Sequence, residues 1–335
     1  MTPIKWNGSS WVNTTGSDKD WYDYTSKKWA NAKTSDGSMW VWIPRYAYSI
    51  TSGYHSSSAG NIEVEFMKGL TNETSTGRTS FQNASGQGNW NIHPAFNYGQ
   101  TVSGLWVAKF EASNSSGKIK VVPGVSSWRS ITVNDIYTNC LNYNKTLNSH
   151  MMKNDEWGAV AYLSKSRYGK SAEVDRNGNS SYYTGGGSGN AYVNNVGQST
   201  TGTVHGVYDM SGGAYEYVAA YVNNGNSSLS NGESLVNGDA KTKNVYSKGS
   251  SDDRDSNYSA NSGKYGDAVY ETSVNGNSSN SSWYGDDSYF PDTNSPFFLR
   301  GAFYGAGTSG GVFYFDYEDG NSFNTYSFRP VLVVL

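Results

Sequence analysis

The stretch GVYDMSGGAYEYV occupies residues 206 to 218 of a 335-residue chain. Two adjacent glycines in it, typical of a turn, are followed by tyrosines at alternate positions, 215 and 217. It contains two acids, Asp209 and Glu216, which suit either an acid/base pair or a structural role in turns and core. The flanking residues 171 to 203 and 223 to 282 are rich in Gly, Asn and Ser and show no sustained periodicity. We expect functional loops or poorly ordered linkers there.

Four further blocks surround this stretch in a definite order. They are LWVAKFEAS (105 to 113), MMKNDEWGAVAYLSKSRYG (151 to 169), LRGAFYG (299 to 305) and SFRPVLVV (327 to 334). In sequence and in order they resemble the formylglycine-generating-enzyme branch of the C-type-lectin-like fold, whose members carry GLYDMSGNVWEWV where this chain has residues 206 to 218. Tyr215 and Tyr217 stand at positions where that family usually has Trp. The resemblance covers roughly residues 40 to 335.

The resemblance implies an α+β fold with two helices, small twisted antiparallel sheets and a large share of loops. The amino-terminal and carboxy-terminal strands pair in that fold, and SFRPVLVVL is the most apolar run here, as expected of a buried strand. By the same resemblance, Asp209 and Glu216 hold turns and core together. We therefore predict a Trp-rich unit over residues 1 to 40, either separate or integral to the fold, and a ligand-binding domain over residues 41 to 335.

Two segments have helical spacing of apolar residues. Residues 132 to 144 are predicted to form a helix capped by Thr132. Residues 153 to 169 are predicted to form a second helix, with Asn154 as the N-cap and Gly169 as the terminator. Helix therefore accounts for a small part of the chain.

The first 40 residues are predicted to form a small Trp-rich unit of strands and turns, which runs into a further strand. Residues 39 to 43 form a strand that Pro44 closes. Residues 105 to 112 and 119 to 122 are predicted to pair around a turn at residues 115 to 117.

The composition narrows the classes of function. Lys and Arg number 25 against 28 Asp and Glu, so a formal charge of -3 supplies no basic field for nucleic acid or anionic lipid. Aromatic residues reach 15%, which is typical of a globular protein that uses flat side chains in its core and binding surfaces. The first residues do not show the basic region followed by an apolar run that is typical of a signal peptide. No segment of about 20 consecutive apolar residues, the length that spans a membrane, is visible. We expect neither a Sec-type signal peptide nor membrane insertion.

No catalytic site is predicted. The oxidising members of the resembling family need paired cysteines in the carboxy-terminal half, whereas the single cysteine, Cys140, lies on the apolar face of a predicted helix. The four histidines show no metal-type spacing. His150 and His205 could meet in space, but structural histidines are the interpretation we favour.

Two acidic clusters, residues 252 to 255 and residues 286 to 287, offer the oxygen ligands that calcium prefers. We favour solvated loop acids, because the sugar-binding tripeptides EPN, QPD and WND are absent. No cofactor is therefore predicted, and a structural calcium ion is the alternative.

The segment from about residue 296 to residue 330 has a framework of glycines and apolar residues with other residue types interspersed. It resembles the carboxy-terminal variable region of the variable proteins of diversity-generating retroelements in phages and bacteria. In those systems error-prone copying at template adenines turns AAY codons into many residue types. The resemblance implies a ligand-binding surface of thirteen residues: Phe303, Tyr304, Gly305, Ala306, Thr308, Ser309, Asp316, Tyr317, Asp319, Phe323, Asn324, Thr325 and Tyr326.

All thirteen residues are reachable from AAY codons, whereas Glu318 is not and is either fixed or derived from AAA or AAG. Residues 312 to 315 are expected to alternate inward and outward on a strand, with Phe313 and Phe315 as anchors. The prediction is a fixed framework up to Phe315, display over residues 316 to 326, and framework again afterwards. Tyr, Phe, Ser, Asn and Gly on such a surface have the physical properties of an antibody paratope.

These patterns predict a non-enzymatic ligand-binding protein of a virion tail or the extracellular surface, which recognises a protein or glycan on a cell. The Trp-rich unit would attach it to a virion or another surface structure. Two alternatives stay open. One is a metal-dependent or degenerate enzyme of the sulfatase-modifying-factor type, and the other is a structural virion decoration protein.

Overall fold

A computed structural model describes residues 1 to 335 as an α+β protein, which confirms the predicted class. It contains four α-helices instead of the two predicted: α1 (Val133–Tyr143), α2 (Asn154–Lys165), α3 (Glu233–Val236) and α4 (Arg254–Ala260). The strands are β1 (Thr2–Trp6), β2 (Trp11–Asn13), β3 (Asn31–Lys33), β4 (Met39–Pro44), β5 (Tyr46–Ser52), β6 (Asn61–Phe66), β7 (Asn91–Ile92), β8 (Gly104–Ala108), β9 (Ser113–Ser115), β10 (Lys118–Lys120), β11 (His150–Met151), β12 (Tyr215–Asn223), β13 (Asn244–Ser247), β14 (Asn277–Ser278), β15 (Ser288–Tyr289), β16 (Phe297–Arg300), β17 (Phe315–Glu318), β18 (Tyr326–Phe328) and β19 (Pro330–Leu332). None of the helices is long and apolar enough to cross a membrane.

Two seven-stranded sheets form the framework, beside a three-stranded sheet and a two-stranded hairpin. The first large sheet is antiparallel and has the order β11-β19-β8-β4-β3-β1-β2. The second has the order β13-β12-β16-β17-β15-β14, with β18 also paired to β12. Three of its pairings, β12 with β13, β12 with β18 and β15 with β17, are parallel. The prediction of small antiparallel sheets is therefore confirmed only in part.

Strand β12 lies at the centre of the fold. Its sequence YEYVAAYVN is almost continuously apolar, the pattern of a strand that is covered on both faces. Val218 packs in one core cluster with Trp157 of α2. Its neighbour Tyr217 points to the other face and packs in a second core cluster with Cys140 of α1. The second large sheet is thus held between the two predicted helices.

Helix α1 begins as predicted, because Thr132 Oγ1 accepts a hydrogen bond from the Asp135 backbone N–H at 3.2 Å. Helix α4 was not expected within residues 223 to 282, which lack apolar periodicity. It is specified by its cap: Asp253 Oδ1 accepts a hydrogen bond from the Ser256 N–H at 2.8 Å.

Helix α2 has a different cap from the one predicted. Lys153 is its N-cap, and Glu156 Oε2 accepts the Lys153 backbone N–H at 2.9 Å. The side chain of Asn154 instead accepts a hydrogen bond from Arg300 Nη1 at 2.8 Å in the core. The helix also ends before Gly169 is reached. The existence of the helix is therefore confirmed, but its predicted N-cap was wrong by one residue and its predicted terminator lies three residues beyond the C-cap, Ser166.

The predicted strand at residues 39 to 43 is confirmed as β4, which ends at Pro44. The predicted pairing of residues 105 to 112 with residues 119 to 122 is wrong. Strand β8 is already paired with β4 on one side and β19 on the other, so it has no free edge. The hairpin at this turn is formed by the shorter strands β9 and β10.

The apolar terminal run is buried from Ser327 to Val333, whereas Val334 and Leu335 are exposed, so the prediction of a buried strand is confirmed only in part. The run contributes to two strands in different sheets. Strand β18 joins the second large sheet beside β12, and β19 joins the first between β8 and β11. Strand β19 pairs with β8 and β11 and not with β4, the first strand of the region that the resemblance covers, so the implied pairing of the terminal strands is wrong. Strands β1 to β3 of the Trp-rich unit extend the same sheet beyond β4.

Candidate functional site

Every one of the thirteen candidate residues is at least partly exposed. They lie on β17, at the start of β18 and on the two loops that join β16, β17 and β18. Phe323 is the most prominent, with 57% of its surface exposed. The framework residues Phe315 and Ser327 on either side of the display segment are buried. Exposure therefore alternates with burial along this part of the chain.

Residues 312 to 315 do not alternate as predicted, since all four are buried. Strand β17 begins only at Phe315, so the preceding backbone has no ladder partner. Side chains bind it instead: Phe313 N–H donates to Asp286 Oδ2 at 2.9 Å, and the Phe313 carbonyl accepts from Ser282 Oγ at 2.9 Å. Phe313 and Phe315 nevertheless anchor the segment in the core.

Tyr215 of β12 is the centre of an aromatic cluster on this surface. Its ring stacks on Phe303 with centroids 5.3 Å apart. It also contacts Tyr314 at 5.8 Å and Tyr326 at 5.7 Å. The parallel register of β12 and β18 places Tyr215 opposite Tyr326, which explains why residues distant in sequence meet here.

The cluster continues outward on both sides. The ring of Tyr304 lies 5.3 Å from Phe303 and 5.0 Å from Tyr182. On the other side, Phe323 lies 5.4 Å from Tyr326. Half-buried rings in contact with each other and with solvent form a surface that can bury apolar area on binding.

Two carboxyl groups complete the surface. Asp316 Oδ2 accepts a hydrogen bond from the Tyr314 hydroxyl, and Glu318 Oε1 accepts one from the Tyr326 hydroxyl. Both acids lie on the same face of β17 because alternate residues of a strand share a face. Asp316, Tyr314, Tyr215, Tyr326 and Glu318 therefore form a chain of contacts that closes on β17, here called the tyrosine–carboxylate ring.

Burial sets the electrostatics of the ring. It raises the pKa of Asp316 to about 6, although the hydrogen bond from Tyr314 acts in the opposite direction. It also raises the pKa of Tyr215 to about 12, with a further contribution from the charge of Asp316. Burial and the hydrogen bond to Glu318 raise the pKa of Tyr326. The tyrosines are neutral at neutral pH, and Asp316 titrates close to the physiological range.

The structure does not bring all thirteen residues together. Tyr317 lies on the opposite face of β17, where its ring stands 3.9 Å from the guanidinium carbon of Arg254. Asp319 forms the following turn, with its Oδ1 accepting the Asn321 N–H at 2.9 Å. Gly305, Ala306, Thr308 and Ser309 lie on the loop between β16 and β17.

The framework beneath the surface is held by a buried ion pair. Arg329 donates to both carboxylate oxygens of Glu216, at 2.6 Å and 3.1 Å. Burial raises the pKa of Glu216 to about 7, and Arg329 opposes that shift. Asp209 is also buried and accepts the Gly185 N–H at 2.8 Å. Both acids of the 206 to 218 stretch are thus engaged inside the protein, as the structural interpretation requires.

The other reactive residue types are placed apart from this surface. Cys140 is fully buried, and burial raises the pKa of its thiol. His150 Nε2 lies 2.8 Å from Glu156 Oε1, whereas the His205 ring packs 5.5 Å from Trp11. The two histidines thus have separate surroundings. No group of three or more His, Cys, Asp or Glu side chains is arranged to hold a metal ion.

The prediction that both acidic clusters are solvated loop acids is wrong for two members. Asp252 is buried, and its Oδ1 accepts a hydrogen bond from Asn257 Nδ2 at 3.0 Å. Asp286 is buried as well, and it binds the backbone before β17. Each of these two acids holds a neighbouring segment of the chain in place. The sequence around them gives no sign of this role.

Five residues of the surface were not among the thirteen sequence candidates: Arg129, Tyr182, Tyr215, Tyr314 and Glu318. Tyr215 and Tyr182 come from segments far from the carboxy terminus, and Glu318 failed the codon criterion. Arg129 stacks over Tyr182, with its guanidinium carbon 3.8 Å from the ring centroid, and donates to the Asn324 carbonyl. Among those outside the carboxy-terminal segment, only Tyr215 carried a signal in the sequence, namely a tyrosine at a position where the resembling family has Trp.

A concave feature lies where the Trp-rich unit meets the neighbouring strands. A groove of about 540 Å³ is lined mainly by aromatic side chains, among them Trp21, Tyr22, Tyr24, Trp42 and Trp106. The rings of Trp42 and Trp106 lie 5.1 Å apart because β4 and β8 pair them directly. Trp21 stacks on Trp106 at 6.5 Å.

In comparisons with known proteins, no protein-family model and no curated protein matches this chain.

Proposed function

We propose that this chain is a non-enzymatic recognition protein of the C-type-lectin-like fold, formylglycine-generating-enzyme subtype, whose carboxy-terminal surface binds a ligand and is diversified by a retroelement. The observation that carries the proposal is the exposure pattern: all thirteen candidate residues reach solvent, while Phe313, Phe315 and Ser327 between or beside them are buried. A surface whose residues are substituted by diversification needs variable positions that are exposed and a framework that is buried. Buried side chains cannot change without loss of packing.

The aromatic content supports ligand binding as well. Phe303, Tyr304, Phe323 and Tyr326 each expose part of a ring and contact another ring of the surface. Such side chains supply contact area at low cost in conformational entropy. The aromatic groove on residues 1 to 40 and their neighbours supports the further proposal that the Trp-rich unit attaches the protein to a virion or another surface structure.

A randomised library tests the proposal directly. The thirteen positions are varied together with the codons reachable from AAY, and the variants are displayed and selected for binding to a purified target such as streptavidin. We expect most members to fold and binders to be enriched. A matched library that varies thirteen buried positions of β12, β16 and β18 should lose folded members. If both libraries lose fold alike, or if no binder is enriched, the proposal fails.

Diversification has its own test at the level of the genome. A second near-copy of the segment that encodes about residues 296 to 330, mismatched only at template adenines and next to a reverse-transcriptase gene, is expected. If the repeat is missing, diversification is withdrawn while binding of a fixed ligand survives. Bound copper or substrate turnover in the purified protein would contradict the non-enzymatic assignment.

A further inference from the structure

The tyrosine–carboxylate ring carries an unbalanced negative charge. Asp316 and Glu318 belong to it, Asp319 follows directly, and the charge of Asp287 acts on Tyr215 as well. None of these four acids takes part in an ion pair with a basic residue: all eleven ion pairs of the protein involve other acids. The surface therefore has a charge that the protein itself does not neutralise by direct contact.

Two arginines lie close to the surface but are engaged elsewhere. Arg254 lowers the pKa of Asp316 by its charge, yet its guanidinium stacks on Tyr317 at the opposite face of β17 and its Nε lies 3.3 Å from Asp292. Arg129 stacks over Tyr182 at the edge of the surface. Neither places a donor on the ring.

Apart from the Tyr215 hydroxyl, which can also donate, the polar atoms of the ring are acceptors towards a ligand. The hydroxyl hydrogens of Tyr314 and Tyr326 are donated to the two carboxylates, so their oxygens can only accept further hydrogen bonds. Asp316 accepts one more bond, from the Tyr317 N–H at 2.8 Å. A carboxylate has about four acceptor sites, so each acid retains capacity for a ligand. The faces of the tyrosine rings are negative as well.

We propose that the ligand is a protein that presents an Arg or Lys side chain to the tyrosine–carboxylate ring. This inference rests on the proposed function and names the partner class of the same surface. A guanidinium or ammonium group supplies several donors together with the missing positive charge, and it binds carboxylates by charge-assisted hydrogen bonds. It also gains from the adjacent aromatic faces. A neutral glycan supplies donors but leaves the charge unbalanced, and an anionic ligand adds to it.

Binding of short labelled probes to the full chain tests the inference. The probes are hexa-arginine and hexalysine peptides, compared with hexaglutamate and maltohexaose, and binding is followed by fluorescence anisotropy at low ionic strength. The site variant is Asp316→Asn with Glu318→Gln. Its matched control, Asp20→Asn with Glu63→Gln, removes the same net charge at two exposed residues, one in the connection between β2 and β3 and the other on β6. Circular dichroism confirms that both variants fold.

We expect the cationic probes to bind the unmodified chain and the control variant within about twofold of each other. The site variant should bind them at least about tenfold more weakly. Equal weakening in both variants would mean attraction by net charge and would overturn the inference. No binding of either cationic peptide, or tighter binding of hexaglutamate or maltohexaose, would overturn it too. The randomised library varies Asp316 and is selected against a target that is not chosen for its charge, so recovery of binders would leave the proposed function standing even if this inference fails.

Discussion

Removing the charge of Asp316 should make the protein more stable at neutral pH. The half-buried carboxyl has a pKa of about 6 in the folded chain against 3.8 for the free group, because burial disfavours its ionised form. The groups that face it are Tyr314, the Tyr317 N–H, Glu318 and Arg254, and of these only Glu318 adds to the burial effect. A residue that lowers the stability of the folded chain is expected at a position where selection acts on ligand binding and not on folding.

The magnitude follows from linkage. Since the folded-state pKa lies above the unfolded-state value, stability is lost as the pH rises from about 4 to about 6. Ionisation costs about 3 kcal/mol at pH 7.5 and about 1.5 kcal/mol at pH 5. The variant Asp316→Asn removes this cost but gives up one of two accepted hydrogen bonds, worth about 1 kcal/mol. The net gain should be about 2 kcal/mol at pH 7.5 and less than about 1 kcal/mol at pH 5.

Urea titrations of the unmodified chain and Asp316→Asn at the two pH values measure this difference. The variant Glu63→Gln, which removes a charge at an exposed residue, serves as the control and should shift stability by less than about 0.5 kcal/mol at either pH. A stability gain of the same size at both pH values would refute the linkage. A loss of stability at pH 7.5 would refute the claim that the carboxyl is strained by burial.

Three further outcomes are expected. Arg329→Met leaves the buried Glu216 without its cation and should lower the free energy of unfolding, measured in urea, by about 3 to 5 kcal/mol. Adding Glu216→Gln to this variant should recover part of that loss. Equal losses in the single and the double variant would contradict the ion pair. Gly124 has a φ of 74°, and a Cβ added there would lie 2.1 Å from the backbone nitrogen of Gly189. Gly124→Ala should therefore lower the Tm by more than Gly178→Ala, whose Cβ would meet nothing within 4 Å. Equal Tm values for the two variants would contradict this turn. The thiol of Cys140 should react with iodoacetamide only in urea, and modification of the native chain would show that it is not buried.

Sequence patterns predicted the elements whose cause is local. Helix α1 was expected because Thr132 and the apolar spacing that follows act within one or two turns of chain. Strand β4 was expected because an apolar run ends at Pro44. Helix α4 was missed, since its specification is a single capping residue, Asp253, and not a periodic face.

Part of the candidate surface was predicted because the exposure of its residues also has a local cause. Exposure of positions such as Phe323 and Asn324 follows from a local alternation of framework and polar residues. The opposite orientation of Tyr317 depends on where β17 begins, and that is set by Asp286 and Ser282 holding the preceding backbone. No pattern within the segment contains that information.

The sequence by itself therefore determined the α+β class, the main helices and the residues that reach solvent, because each depends on neighbours a few positions apart. The tertiary structure alone decided which of those residues form one surface. Tyr215 and Tyr326 meet through the parallel register of β12 and β18, and Glu318 joins them across the same sheet. Strand register is fixed by packing over the whole domain, so the tyrosine–carboxylate ring exists only in the folded chain.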